Sequence, residues 1–435
     1  MQVLKFGGTS LGSPQRMHEV KDIISADQDS KMVVLSAISG TTNRLVSLSE
    51  NLGNPAFVNN CIAEFQSLYL DFVDQLYQDT EMKEKAEKFI LDQFHFLTTL
   101  QEENLSSNVT KIVLAQGELL STQLFTWLLE ENHLPALLLP ALNFMRIDKS
   151  GEPDEFYIKS MLVKELQLAG RASIYVTQGY ICRNAYGEID NLKRGGSDYT
   201  ATLLGQALGA EEIQIWTDID GMHNNDPRMV DQTYPVKQLS YDEAAELAYF
   251  GAKILHPSCV LPAQKANIPI RLKNTMDPSA SGTLIGIESN ASDVTAVAAK
   301  DGITAIKIKS GRMLMAYGFL NRIFEVFERF ETPIDMVTTS EVAVSLTIDD
   351  DTSLNEIIRE LQTFGVVEID EKQTIICIVG DFGGQSMGHA SRIFAALKEI
   401  PIRMISYGGS KYNVSILVDS KYKKDALQAL NQGLF

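Results

Sequence analysis

The chain opens with QVLKFGGTSLGSPQRMHEV, residues 2–20, and the order of its parts can be read from these letters alone. Val3 to Phe6 form an apolar run that reads as a buried strand. Ser13 before Pro14 pairs an N-cap with a first helical residue, and Met17, Val20, Ile23 and Ile24 then recur on one face, which predicts an amphipathic helix. Between strand and helix lies KFGGTS, residues 5–10. A turn needs at most one glycine of positive φ, so the second glycine and the nearby Lys5 ask for another reason. Glycines after a strand let backbone N–H groups converge on an anion, a helix N-terminus adds partial positive charge, and a lysine supplies a point charge. The loop is neither GxxxxGK[ST] nor GxGxxG, and alone it reads equally well as a strand-end turn.

Further apolar runs follow: KMVVLSA (31–37), PALLLPA (135–141), SIYVTQGYI (173–181), EIQIWTD (212–218) and PIRLK (269–273). Helical patterns separate most of them, and that alternation predicts a mainly parallel sheet covered on both faces. Residues 54–131 read instead as a helical insertion, with Phe65, Leu68, Leu70, Phe72, Val73 and Leu76 on its apolar face. Another helix opens at SYDEAAELAYFGAK (240–253), where Ser240 and Glu243 fit a capping box.

At 435 residues the chain exceeds what one core organises, so two or three domains are expected. A net charge of −18 argues against a nucleic-acid partner, which needs a basic patch. No stretch reads as long enough to span a bilayer, so no membrane partner is expected. Cys61, Cys182, Cys259 and Cys377 are far apart, without metal-ligand or redox spacing, and read as reduced core thiols. No protein-bound metal site is expected, and the absence of a signal-peptide pattern points to the cytoplasm.

Beyond about residue 290 the chain repeats itself. AYGFLNRIFEVFERFETPIDMVTTSEVAVSLTID (316–349) parallels SMGHASRIFAALKEIPIRMISYGGSKYNVSILVD (386–419), with Gly318 matching Gly388 and Asp349 matching Asp419. Two βαββαβ modules follow from that order. The expected division is 1–290, then 291–370 and 371–435, with a strand exchanged between the last two.

Three more loops carry chemistry. SAISGTTN (36–43) follows a strand and is rich in hydroxyls, although a polar loop capping the next helix would look the same. KRGGSDYTATLL (193–204) sets Arg194, two glycines and Ser197 before a helix whose first turn holds Asp198. WTDIDGMHNNDPR (216–228) ends a strand in a loop with Asp218, Asp226 and Arg228. Several such loops at the carboxyl ends of strands in one sheet are the pattern of a phosphoryl-transfer cleft.

With these motifs in order, together with QGE (116–118), TQGYI (177–181) and FGAKILHP (250–257), the sequence resembles the aspartate kinases of the amino acid kinase family. The resemblance covers the first 290 residues, and the tandem repeat resembles the family's paired ACT domains. It implies a three-layer α/β/α amino acid kinase fold with a mainly parallel sheet, followed by two ferredoxin-like ACT domains. The implied reaction is phosphorylation of the L-aspartate side-chain carboxylate by ATP, with Mg2+ bound to the nucleotide. Carried over by motif, Lys5, Gly7, Gly8, Asp198 and Lys253 serve the transferring phosphoryl group. Ser36, Thr42, Glu118, Arg194 and Ser197 hold aspartate, while Gly8, Thr217, Asp218, His223, Arg228 and Lys253 lie on the ATP side. His223 departs from the Tyr that many members carry there.

The first repeat resembles the effector site of lysine-sensitive relatives at Met313, Gly318, Phe319, Leu320, Asp335, Thr339, Ser340 and Glu341, and departs from it at Met315, Ala316 and Tyr317. L-Lysine is therefore the expected effector. In the second repeat Arg403 stands where Asp335 stands in the first. A homodimer or larger assembly through the ACT domains is also implied. Two alternatives stay open: a kinase acting on a related acid such as glutamate, and a ligand-sensing protein with an inactive kinase cleft.

Overall fold

The computed structural model describes residues 1–100, 107–192, 195–251, 255–288, 294–310, 317–383 and 387–435. They form two compact units, Met1–Met222 with Ile254–Ser289, and His223–Lys253 with Asn290–Phe435. Residues 223–253, on the N-terminal side of the expected boundary at 290, cluster with the C-terminal unit. The physical reason is that the helix Tyr241–Tyr249 packs on strands of the C-terminal unit, and a Cβ at Gly251 would lie 2.2 Å from the Ala299 carbonyl oxygen.

The first unit is built on strands β1 (Gln2–Phe6), β2 (Lys31–Leu35), β3 (Ala136–Leu138) and β4 (Ile174–Gln178). A hairpin of β5 (Ile181–Arg183) and β6 (Ile189–Asn191) follows, then β7 (Ile213–Thr217). Strand β8 (Gln238–Ser240) belongs to the second unit, and β9 (Ile270–Asn274) and β10 (Thr283–Gly286) complete the first. The sheet runs β3-β4-β2-β1-β7-β9-β10, parallel throughout except for β10. Every residue of β2 and β4 is buried. Since successive side chains point to opposite faces, both faces are covered, as the alternation of strands and helices predicts.

Helix α1 (Pro14–Ile24) starts where the sequence says, with Ser13 accepting from the Arg16 amide. Helices α2 (Thr41–Glu50), α3 (Pro55–Leu76), α4 (Thr80–Thr99) and α5 (Ser107–Glu131) bury Leu4, Phe6, Val33, Leu35, Ile174 and Val176 on one face of the sheet. The apolar face of α3 needs correction: Leu68 is 48% exposed, and the buried series is Val58, Ile62, Phe65, Tyr69, Val73 and Leu76. Helix α5 corrects a second expectation. Asn108–Glu131 is long enough, and an 18-residue window of it apolar enough, to cross a membrane, yet 67% of that window is buried. Helix α7 (Gly196–Leu208) packs on β1, β2 and β7, flanked by α6 (Glu155–Ala169) and α9 (Pro257–Ala266).

In the second unit β8 leads directly into α8 (Tyr241–Tyr249), whose capping box at Ser240 and Glu243 is present. Its sheet is ordered β12-β13-β11-β14-β16-β15. The long strands β11 (Val294–Lys309) and β14 (Val366–Gly380) each serve both modules. Residues 304–309 pair with β13 (Ala343–Ile348), itself paired with β12 (Val337–Thr339), under α10 (Phe319–Arg329) and α11 (Leu354–Leu361). Residues 294–300 instead give the second module its fourth strand, beside residues 375–380, with β15 (Ile402–Tyr407), β16 (Asn413–Asp419), α12 (His389–Ala396) and α13 (Lys423–Leu434). Gly318 and Gly388, matched in the repeat, both cap their helices in the left-handed region, at φ 75° and 91°.

Candidate active site

From β1 the chain passes to β2 and β4 on one side of the sheet and to β7 and β9 on the other, so the strand order reverses between β1 and β7. The loops leaving those two strands diverge there, and ligands of open α/β sheets bind in the crevice so formed. Phe6 and Trp216 are paired in register with rings stacked at 5.6 Å, and the Gly7 amide donates to the Trp216 carbonyl at 3.3 Å. KFGGTS is thereby tied to the strand end that carries Thr217 and Asp218.

The two glycines have a different reason from the one a turn would give. Gly7 has φ −75°, and Gly8 is not in the left-handed region either. A Cβ on Gly8 would lie 2.8 Å from the Ala37 carbonyl oxygen, and the Gly8 carbonyl accepts from the Ser39 amide at 3.2 Å. KFGGTS and SAISGTTN thus meet backbone to backbone, a contact closed to any side chain. A Cβ on Gly7 would lie 3.4 Å from Lys5 Nζ, which locates the ammonium beside this bare stretch.

Lys5 lies on the face of β1 opposite Phe6, and its Nζ meets Asp198 Oδ1 at 2.7 Å, with the two side chains 12% and 16% exposed. Asp198 sits in the first turn of α7, which starts after Gly195 at φ 81°. At Gly195 a Cβ would also lie 2.5 Å from Cys259 Sγ. Ser197 Oγ accepts from Ser36 Oγ at 2.9 Å. Ser121 Oγ on α5 donates to the Ser36 carbonyl at 2.8 Å. One turn earlier on α5, Glu118 Oε1 accepts from the Ala37 amide at 3.2 Å. Burial pushes the Glu118 carboxyl up to about 7, and the Ala37 hydrogen bond only partly opposes this. Lys5, Ser36, Glu118, Ser197 and Asp198 are therefore linked through the carboxyl ends of β1 and β2 and the start of α7.

Thr42 is exposed near the start of α2, whereas its neighbour Thr41 turns inward to the Tyr69 hydroxyl at 2.9 Å. Thr217 Oγ1 accepts from the Ile219 amide at 3.2 Å, and Asp218 is exposed. His223 and Arg228 belong to the second unit. There His223 Nδ1 lies 3.0 Å from Thr233 Oγ1, and Arg228 forks onto Asp226 at 2.9 and 2.8 Å, holding that carboxyl below its usual range. Arg194, Lys253 and Met313, with Met315 and Ala316, lie outside the described residues.

Of the expected effector residues, Phe319 is a core side chain at 4% exposure, edge-on to Phe364, because the first turn of α10 faces inward. Gly318, Leu320, Thr339, Ser340 and Glu341 are exposed. Asp335 is not the free carboxylate the sequence suggested, since Lys300 on β11 and Tyr249 on α8 already bond it. Burial pushes its carboxyl up, and Lys300 opposes this. Arg403 pairs with Asp370. Gly117 and Gly179 were not singled out by sequence reasoning. A Cβ on Gly117 would lie 2.7 Å from Ala37 Cβ, and one on Gly179 2.3 Å from Ser197 Oγ. Both stand inside quoted motifs, QGE and TQGYI, which was the available signal.

A doubly covered, mainly parallel sheet with glycine-bearing loops and a mostly buried lysine at its switch point, followed by two exchanged βαββαβ modules, is the architecture of a phosphoryl-transferring enzyme with a regulatory tail. Residues 1–274 match the amino acid kinase family and residues 376–434 match the ACT domain. The chain belongs to the amino acid kinase family. It is 34% identical over 445 residues to lysine-sensitive aspartokinase 3 of Escherichia coli, spanning 100% of this chain and 99% of that one. It is 33% identical to chloroplastic aspartokinase 1 of Arabidopsis thaliana, over 100% of this chain and 80% of the relative. The solved structure of E. coli aspartokinase III in complex with aspartate and ADP, its R-state, superposes with a TM-score of 0.88 at 33% identity, covering 100% of both chains. The structure of that enzyme with lysine and aspartate, its T-state, gives 0.80 over 100% of this chain and 99% of the other.

Proposed function

We propose that the crevice at the carboxyl end of β1 transfers the γ-phosphoryl group of ATP to the side-chain carboxylate of L-aspartate, giving ADP and 4-phospho-L-aspartate. The observation that carries this is the link from Lys5 and Asp198 through Ser197 and Ser36 to the loop on which Glu118 closes. Likeness to an enzyme solved with aspartate and ADP supports it.

In this reading Lys5 and the Gly8 amide stabilise charge on the phosphoryl group in flight, Gly7 leaves the space beside the Lys5 ammonium open to it, and Asp198 positions Lys5. Glu118 takes the aspartate ammonium, and Arg194, Ser197, Ser36 and Thr42 take its carboxylates. The nucleophile is already an ionised carboxylate, so positioning and electrostatics suffice and no general base is required. Thr217 and Asp218 at the end of β7, with His223, Arg228 and Lys253, are assigned to ATP. The exposed Asp218 carboxylate suits the Mg2+ that travels with the nucleotide, which would neutralise phosphate charge. L-Lysine is the proposed effector, acting through the first βαββαβ module. A cytoplasmic homodimer or larger assembly joined through these modules completes the reading.

The test is ADP release from ATP and Mg2+ with a panel of acidic amino acids, each repeated with lysine, threonine and methionine. Turnover with glutamate rather than aspartate would assign the crevice to another acid. Arg194→Lys should raise KM for aspartate far more than KM for ATP, because lysine keeps the charge but loses the planar fork. Weakened ATP affinity alone would move Arg194 to the nucleotide side. Asp335→Ala should remove lysine inhibition, whereas Arg403→Ala should retain it. A lysine titration curve unchanged by Asp335→Ala would take Asp335 out of the effector site.

A further inference from the structure

Asp335 is the acidic residue that the effector reading needs, yet its carboxylate is covered. The side chain is 0% exposed. Oδ1 accepts from Lys300 Nζ at 2.7 Å and from the Tyr249 hydroxyl at 2.9 Å, and the Lys300 ammonium stands 4.5 Å from the centre of the Tyr249 ring. Among the described residues Oδ2 has no hydrogen-bond partner. A carboxylate buried with one oxygen unpaired stays charged only beside a cation. Here that cation is a lysine of the chain itself, offering the same primary ammonium that a free diamino acid offers.

Lys300 has a second counter-ion. Its Nζ lies 2.8 Å from Asp349 Oδ2, on a side chain that is 33% exposed, so it can leave Asp335 without becoming unpaired. Tyr249 is the last residue of α8. Two residues on, Gly251 has φ 116° and is pressed on the Ala299 carbonyl, next to Lys300, where a Cβ would lie 2.2 Å away. Residues 249–251 are therefore held to β11 at two points, and they lead into the stretch that includes Lys253.

We propose that Lys300 is a tethered competitor: an effector bearing a primary ammonium reaches Asp335 by taking the place of Lys300, which moves onto Asp349 and releases Tyr249. This rests on the reading that such an effector binds the first module. Occupancy of Asp335 by Lys300 lowers the apparent affinity of the effector, which scales with the fraction of molecules in which the carboxylate is free. Release of Tyr249 is the differential contact that ties effector binding to one conformation of the chain.

The experiment titrates L-lysine against the full-length protein, following both aspartate-dependent ADP release and the heat of binding, for wild type, Lys300→Met, Lys300→Arg and Tyr249→Phe. Lys300→Met should lower the half-saturating lysine concentration roughly tenfold, since no competitor remains. Lys300→Arg, which keeps the charge, should stay near wild type, and Tyr249→Phe should give a smaller decrease. Lys300→Gln replaces the methionine variant if that one fails to fold. A Lys300→Met protein that needs as much lysine as wild type, or more, overturns the competitor and leaves the effector reading standing. If wild type ignores millimolar lysine and Lys300→Met binds it, the tethered lysine is the reason. If neither binds it, both readings fall.

Discussion

Lys5→Ala is expected to lower kcat by roughly 10²–10³, with KM for aspartate and for ATP changed much less, because one preorganised charge aimed at the transition state is typically worth that much. The geometry gives the reason for the split between the constants. Lys5 is mostly buried, its ammonium is held 2.7 Å from Asp198, and it lies beside Gly7 where a substrate can approach bare backbone. A charge fixed in advance needs no reorganisation when the phosphoryl group moves, so its loss falls on the chemical step rather than on ground-state binding. Asp198→Asn should lower kcat less and should add little in the double variant, since Asp198 acts by aiming Lys5. Steady-state kinetics of the three variants check this, and kcat within threefold of wild type for Lys5→Ala would remove Lys5 from the mechanism.

Much of this crevice was legible in the sequence because its signals are local. Ser13 before Pro14 and Ser240 before Glu243 name helix starts through bonds spanning three residues, and both caps are present. The lysine-glycine loop likewise needs only a few adjacent letters, while the glycines at 318 and 388 are found by laying one stretch of the chain on another. What the letters lack is the identity of distant neighbours. Gly8 is needed for the approach of Ala37, not for a left-handed turn, and no periodicity reports a backbone contact between two loops. On α3, Leu68 and Tyr69 are both apolar enough to face inward, and only the packed structure shows that Tyr69 reaches Thr41 while Leu68 faces solvent. Residues 223–253 carry motifs of the kinase half yet cluster with the modules, since Gly251 and α8 fit β11. Lys300 drew no notice from the sequence, because a lone lysine in a strand looks like a solvated charge until Asp335 is seen beside it.

Glu118→Gln is expected to lower kcat/KM for aspartate by roughly 10²–10³, the effect of losing a buried charge-paired contact to the substrate ammonium, while leaving the free protein at least as stable as wild type. The two halves share one cause. Burial in α5 raises the Glu118 carboxyl from its usual 4.5 to about 7, so in the free enzyme at neutral pH the ionised form is present but strained. Between these two values the folded protein keeps a proton that the unfolded chain has lost, so stability falls as pH rises from about 4.5 to about 7. Above that window the deficit is on the order of 3 kcal/mol, and glutamine removes it while still accepting the Ala37 amide. Melting temperatures at pH 8 should therefore rise or hold for Glu118→Gln, with little difference between the proteins at pH 4.5 to 5. Aspartate binding works in the opposite sense, because its ammonium favours the ionised carboxyl and displaces the proton. For wild type, kcat/KM for aspartate should fall as pH drops below about 7, approaching tenfold per unit, and Glu118→Gln should lose that dependence. A flat wild-type profile between pH 5.5 and 7.5, or a variant that binds aspartate as wild type does, would exclude Glu118 as the group that holds the ammonium.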